Sequence, residues 1–483
     1  MLVILTTHPI QYQVPIWQAL ARDGRVPFEV WYLTKHGVEP SHDSEFKKQF
    51  SWDIDMLSGY PHRFLELAPD ATPTSFWKCR FRERLRDRLK SRGATALWIQ
   101  GWQVAAYWQA VWEAKRAGIE VWLRGESNDL APTAWWKRPI KKLLLGQFFR
   151  RVDHFLYIGT ANRRLYQKFG VPDNRLHPAP YAVDNERFAK QARELRGQRS
   201  EIRKQWKIPE DAFCVLFCGK FIPKKRPMDL VEAAKRVIAG SREQGAGSGS
   251  GELGAGSGSG ELGAGSGGGR PCSPLPAPRS PLLHLLFVGS GELGPQLRAS
   301  CNVVFDAEAP GSEIADSSSE IAVRSSPISY LPSPNSCLTP PASFAGFLNQ
   351  TEISRAYVAA DCLVLPSDYG ETWGLVVNEA MASGLPCIIS DRCGCSEDLG
   401  NISANKIFSC GDWAMLAGQL MERMASSPPP SSEALRRTSC PSPSVEEGGF
   451  SFDKTVSIVF EQHRRLRNKQ SQPSHAPKAE STI

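Results

Sequence analysis

The chain has 483 residues, 41% of them hydrophobic, with 58 Lys and Arg against 50 Asp and Glu. That length exceeds one ordinary domain, and the formal charge of +8, with no aromatic-basic module, argues against a nucleic-acid binder. No stretch approaches the roughly 18–20 apolar residues of a membrane-spanning helix, and the twelve scattered cysteines fit buried, reduced thiols.

In chain order, the first apolar run is Leu2–Leu5. No basic residue stands ahead of it, so it reads as a buried strand and not as a leader. Phe28–Leu33, Ala96–Ile99, Glu120–Leu123 and His154–Ile158 follow, then Val215–Cys218, Leu282–Val288, Cys362–Leu365 and Cys387–Ile389. These runs are continuous rather than alternating, as expected of strands covered on both faces of a parallel sheet. Helical patterning fills the gaps at Val14–Ala21, Val104–Ala117, Asp229–Val237 and Glu352–Ala360, the last with Asn349 and Glu352 as a capping pair. Alternating strands and helices give an α/β class.

Five strands precede the polar stretch Tyr181–Ile208 and four follow it, which divides the chain into two doubly wound, Rossmann-like domains of about residues 1–190 and 205–440. A cleft between two such domains is a usual place for a ligand. Two segments look inserted into the second domain. Residues 243–281 contain the unit Gly-Ala-Gly-Ser-Gly-Ser-Gly-Glu-Leu in tandem, and 306–343 are rich in Ser and Pro. The polar tail 469–483 reads as disordered, after a helix at 450–468.

The richest stretch is Pro366–Pro386. A strand ends at Pro366 and Ser367, a loop with Gly370 follows, and a helix starts near Trp373 and stops at Gly384. Loop and helix start together offer backbone N–H groups and a positive dipole end to phosphate. Glu371 stands at the mouth of this element and Glu379 deeper along the helix, a spacing suited to two separated hydroxyl-bearing groups. On spacing alone a solvent-facing Glu379 is the more common outcome. Upstream, Gly219–Arg226 carries Lys220, Lys224 and Lys225 after a strand, where two fixed cations could stabilise a departing diphosphate or could simply be solvated.

Glu371 and Glu379, flanked by Pro-Ser before and Glu-Ala-Met-Ala-x-Gly-x-Pro after, resemble the signature of the retaining family-4 glycosyltransferases, which have the two-domain GT-B fold. The resemblance implies that Glu371 lies near the donor sugar and Glu379 holds the ribose. It also implies that backbone at Gly370, Thr372, Trp373 and Gly374 meets the donor. Gly219, Lys220 and Lys225 match the family's phosphate-binding element, with Lys220 where Arg is common and so without its planar fork. Leu285–Leu293, with its Gly-x-Gly, is similar to a strand end that passes the nucleotide.

The first half would supply the acceptor side through His8, Gln100, Arg124 and Glu126, although Gln100 occupies a place where relatives often have His. The 450–468 helix would cross back onto the first domain. The implied reaction is metal-independent hexosyl transfer with retention from a UDP- or GDP-linked sugar, in polysaccharide or glycoconjugate biosynthesis. No cofactor is expected, and nothing resembles an Asp-x-Asp metal element on a strand end. The alternative is a GT-B scaffold that binds the nucleotide sugar but is catalytically impaired by its insertions.

Two basic tracts suggest partners. Residues 78–92 hold eight basic and two acidic residues, and 137–151 hold six basic and no acidic ones. The second is interleaved with Trp135, Trp136 and Leu143–Leu145. Both could rest on an anionic membrane in reach of a sugar or lipid-linked acceptor, or could be ordinary helices with a solvated face. Either way the expected setting is cytoplasmic, or peripheral to the inner face of a membrane.

Overall fold

The computed structural model describes residues 1–38, 41–43, 48–50, 52–67, 75–82, 84–132, 134–246, 282–309, 338–402, 404–426 and 450–471. The first half holds β1 (Leu2–Thr6), β2 (Phe28–Tyr32), a small antiparallel ribbon of β3 (Ser41–Asp43) and β4 (Lys48–Phe50), β5 (His62–Phe64), β6 (Ala96–Ile99), β7 (Glu120–Leu123), β8 (His154–Tyr157) and β9 (Leu176–Pro178). The second holds β10 (Phe213–Cys218), β11 (Leu283–Val288), β12 (Asn302–Asp306), β13 (Pro341–Gly346), β14 (Cys362–Leu365), β15 (Cys387–Ser390) and β16 (Lys406–Phe408).

Each half is built on one seven-stranded parallel sheet, ordered β5-β2-β1-β6-β7-β8-β9 and β12-β13-β11-β10-β14-β15-β16. Every residue of β1 and β2 is buried, because helices cover both faces, and this is why those runs carry no alternation. In each sheet the chain leaves its first strand towards one edge and returns on the other side. The strand order therefore reverses between β1 and β6, and again between β10 and β14. Loops at the carboxyl ends beside such a reversal flank a crevice, which is where ligands of open α/β sheets bind. The loops concerned are Thr7–Gln13, Gln100–Gln103, Gly219–Lys225 and Pro366–Gly374.

Seven strands per sheet exceed the five and four read from the sequence. β5, β9 and β16 are three residues each, too short for a pattern to register. β12 is an edge strand with two exposed residues, and β13 begins with a proline. The Ser/Pro-rich segment is correspondingly narrower than 306–343. Asp306 closes β12, where it pairs with Arg298, and Pro341–Ser343 open β13. Residues 310–337 lie outside the described residues. So do 247–281, most of the Gly-rich repeat, since the helix that begins at Pro227 runs on to Ala246. The tail from 472 is also outside them, while the last helix reaches Ser471. The helix expected from Glu352 begins instead at Ser354. The Asn349 side chain accepts from the Gln350 N–H at 2.9 Å, and Ile353 occupies the cap position.

The stretch after Tyr181 forms the helices Asn185–Arg196 and Arg199–Gln205. Phe188, Ala192, Ile202 and Trp206 bury into one cluster with Tyr357, Leu363 and Met381, so this connector shares the core of the second half. The helix Phe452–Ser471 returns to the first half, where Val456, Val459 and Leu466 pack with Trp17 and Leu20. Gln462 and His177 are hydrogen-bonded at 3.2 Å beside them. Among the described residues no helix is long and apolar enough to cross a membrane.

The halves meet across the cleft through side chains. Asp53 accepts from the Gln350 and Thr351 N–H groups, each at 3.1 Å. Asp398 accepts from the Thr160 hydroxyl at 2.7 Å, Glu397 pairs with Arg164, and Asn128 donates to the Thr372 carbonyl at 3.1 Å.

Candidate active site

The turn after β10 and the loop after β14 lie against each other. Asp368 N–H donates to the Lys224 carbonyl at 2.9 Å, and Gly370 N–H to Asp368 Oδ1 at 2.7 Å. That contact brings Lys225 onto the Glu371 carboxylate as an ion pair, with the Ser367 hydroxyl donating to the same oxygen at 3.3 Å. Burial opposes the Lys225 charge, but Glu371 outweighs it and holds the ammonium above the ordinary lysine range. An ammonium has three donors, so one bond to Glu371 leaves capacity for an incoming anion.

Gly219 follows β10 and hands its N–H to the Val288 carbonyl at 2.9 Å; Lys220, half-buried, comes next. The Gly-x-Gly that follows β11 packs on this backbone. Gly289 has φ +128°, and a side chain there would run into the Gly219 carbonyl. Gly289→Ala is therefore expected to destabilise the second half by at least about 2 kcal/mol, combining left-handed strain with overpacking. Chemical denaturation checks this; a loss under about 0.5 kcal/mol would show that the loop yields easily.

The helix after Glu371 starts at Leu375, two residues beyond the position read from the sequence. The reason is Gly374, whose φ of +109° is unavailable to a helical residue and whose missing side chain lets Leu365 and Cys395 close in. No side chain caps this helix, which leaves its first N–H groups without a side-chain acceptor. Thr372 is exposed and uses its carbonyl to reach Asn128. Trp373 is buried, its indole N–H donating to Asn378 at 2.9 Å.

Glu379 lies one turn along, about 6 Å from Leu375 at the helical rise. Its carboxylate accepts from the Tyr357 hydroxyl at 2.5 Å. Burial lifts the Glu379 carboxyl above its usual range, while the Tyr357 bond and the charge of Arg187 work the other way. It lines a cavity of about 160 Å³ with Tyr12, Asp184, Arg187 and Gln350, at the junction of both halves and the connector.

On the facing sheet, Arg124 is 1% exposed and donates to the carbonyls of Ala179 and Pro180 at 3.5 and 3.3 Å, while its Nη1 has no partner. Burial presses this guanidinium below its ordinary range, against the pull of Tyr181 and Glu126. Glu126 accepts from the Tyr181 hydroxyl at 2.5 Å. The Tyr181 ring lies 4.8 Å under Arg124, 5.3 Å from Tyr12 and stacked 6.1 Å from Trp373. Arg124, Glu126 and Trp373 are thus joined through one tyrosine.

Gln100 is buried with its Nε2 unpartnered. His8 sits apart from this group, 3.0 Å from the Thr7 hydroxyl and edge-on to His36 at 5.1 Å. Burial, then His36, pushes its imidazole down to about 4, so it is neutral at pH 7.

Tyr12, Tyr181 and Tyr357 went unread as site residues. The Tyr181 and Tyr357 hydroxyls meet Glu126 and Glu379, and Tyr12 meets Tyr181, only through the fold, and no local spacing announces them. The one available signal was the position of Tyr181 at the junction between the halves.

Known proteins agree with this architecture. A family model described as "Glycosyl transferase 4-like domain" matches residues 57–182, and one described as "Glycosyl transferases group 1" matches 338–438. A glycosyltransferase from Rickettsia africae superimposes with a TM-score of 0.60 at 9% identity, covering 96% of this chain and 98% of that one. HepE from Anabaena, solved in complex with UDP, gives 0.55 at 12% identity, covering 96% and 99%. Sulfoquinovosyl transferase SQD2 of Arabidopsis thaliana is 49% identical over 59 residues, 12% of this chain and 11% of that protein. The chain matches only 11–14% of the length of its curated relatives. The fold is GT-B, two Rossmann-like domains facing a cleft, and each half carries a glycosyltransferase family pattern.

Proposed function

We propose that the protein is a retaining, metal-independent glycosyltransferase that moves a hexose from a UDP- or GDP-linked donor to an acceptor hydroxyl. The observation that carries this reading is the Lys225–Glu371 pair beside an uncapped helix start, at the strand-order reversal of the second sheet. The family patterns in both halves support sugar transfer, and the UDP bound by HepE in the same fold supports a nucleotide donor.

In this reading the N–H groups before and at Leu375 hold the diphosphate, and Lys225 with Lys220 takes up the charge that gathers on it as the glycosidic bond breaks. The freed phosphate oxygen accepts the acceptor's proton on the same face of the sugar, so the configuration is kept and no separate base is required. Glu371 fixes a sugar hydroxyl and aims the Lys225 ammonium; it is not a nucleophile. Glu379 accepts the ribose hydroxyls. Gly370, Thr372, Trp373 and Gly374 serve through backbone, with Gly219 giving the turn its close approach. Arg124, Glu126, Gln100 and His8 belong to the acceptor side, where Arg124 acts through Tyr181.

Titration calorimetry with UDP, GDP and ADP against wild type and Glu379→Ala tests the reading. One of the three is expected to bind, and the variant to bind roughly 10- to 100-fold more weakly, the worth of hydrogen bonds to a charged group at about 1.5–3 kcal/mol. No binding at all, or equal binding by the variant, would sink the ribose role. Donor turnover that survives EDTA unchanged is the matching expectation for metal independence.

A further inference from the structure

We propose that the turn Trp135–Lys137 and the helix Arg138–Phe149 form a docking surface for an anionic lipid bilayer. A helix of a globular protein buries one apolar stripe. This one has two. Leu145, Phe148 and Phe149 face the core of the first domain. Trp136, Ile140, Leu143 and Leu144, spaced i, i+4, i+7 and i+8, form a second stripe on a different side of the helix.

Among the described residues nothing covers that second stripe. Trp135 is 80% exposed, Leu143 65%, Ile140 57%, Trp136 55% and Leu144 53%. They account for five of the twelve exposed large hydrophobics among the described residues, gathered within ten positions of sequence. Scattered apolar residues on a surface need no explanation, but a contiguous patch marks an interaction face.

Charge selects the partner. Between 130 and 152 there are six cations, Lys137, Arg138, Lys141, Lys142, Arg150 and Arg151, and no acidic residue. A groove of about 590 Å³ beside the stripe is lined by Lys142, Leu143, Gly146, Arg150, Phe169 and Arg175, with room for a phosphate headgroup between cations. Indoles at an apolar–polar boundary, aliphatic side chains beneath them and cations around the rim are the composition of a helix that lies in a membrane interface. A protein partner would be met by mixed charge, whereas a uniformly cationic rim matches the surface of an anionic leaflet. The helix follows the loop that carries Arg124 and Glu126 and runs from there to the foot of β8. The proposal makes no use of the donor chemistry and stands independently of it.

The test is flotation of the full chain with vesicles of phosphatidylcholine alone, or with phosphatidylglycerol added, at low and high salt. Wild type is expected to float with the anionic vesicles at low salt and to be released by salt. Leu143→Glu with Leu144→Glu, and separately Lys141→Glu with Lys142→Glu, are expected to weaken binding at least tenfold. All four positions are exposed, so melting temperatures should match wild type. Met415→Glu, an exposed position in the second half, is expected to float normally. Wild type that ignores anionic vesicles at low salt overturns the proposal. So does a Leu143/Leu144 variant that floats as well as wild type. A wild-type dimer that this variant turns into a monomer, with no vesicle binding by either, would assign the face to self-association instead.

Discussion

Lys225→Ala is expected to lower kcat by about 100- to 1000-fold, the usual effect of removing one preorganised group that meets developing charge. The donor's KM should move far less, because the ammonium serves the departing diphosphate more than the bound sugar nucleotide. Lys225 is only 20% exposed and its partner Glu371 12%, so the charge acts where water screens it poorly. Deleting the lysine also strands the Glu371 carboxylate, leaving Ser367 as its one side-chain donor among the described residues. Part of the loss is therefore misplacement of Glu371 and not missing charge alone. Lys225→Arg separates the two effects: it keeps a cation on Glu371 and should recover at least tenfold over alanine. Glu371→Gln should resemble Lys225→Ala in kcat, since the two side chains work as one unit and their losses do not add. The measurement is release of nucleoside diphosphate from whichever UDP- or GDP-linked hexose wild type turns over. A Lys225→Ala enzyme within fivefold of wild type in kcat would remove this pair from the reaction.

The site's two halves were not equally legible in the sequence. Glu371, Glu379, Lys220 and Lys225 lie on turns and one helix, with fixed spacing along the chain, and a linear pattern reports such residues well. The fold class was legible for the same kind of reason: β1 and β2 are buried throughout and β10 in all but its last residue, and continuous apolar runs say so directly. The facing side is different. Glu126 and Tyr12 meet Tyr181 across 55 and 169 positions of chain, and Tyr357 meets Glu379 from the far side of β14. Contacts of that separation leave no local periodicity. His8 was a candidate from its place after the first strand, and burial beside His36 leaves it a neutral ring there. The helix start was misread by two residues because Gly374 follows Trp373, and only the backbone reveals that the glycine takes a left-handed angle.

Asp361→Ala is expected to cost about 2–4 kcal/mol of stability, somewhat under the toll of breaking a fully buried charge network because Asp361 and Arg199 are 24% and 25% exposed. Asp361 stands just before β14, at the foot of the strand whose far end carries Glu371. Its two oxygens accept from Arg199 and Arg203, each at 2.7 Å, and one of them also takes the Cys214 N–H at 2.8 Å. Arg203 spends its other donors on the carbonyls of Ala359, Glu210 and Ala212 at 2.9–3.0 Å, and its side chain is 3% exposed. Burial presses the Arg199 guanidinium below its ordinary range, and Asp361 is what opposes this. Without the carboxylate, two guanidiniums remain close together with no anion between them, and the Cys214 N–H loses its acceptor. Asp361→Asn should cost less, about 1–3 kcal/mol, since an amide oxygen can still take one bond while the charge is gone. For a domain of this size the alanine variant should melt roughly 8–15 °C lower. The damage should reach the site as well, because β14 pairs with β10 through Val215 and Leu216, and those two strands end in the loops that hold Lys225 and Glu371. Calorimetric melting with and without the bound nucleotide reads both effects. A drop under about 1 kcal/mol for the alanine variant would mean that water reaches these guanidiniums freely and that the network is an ordinary surface pair.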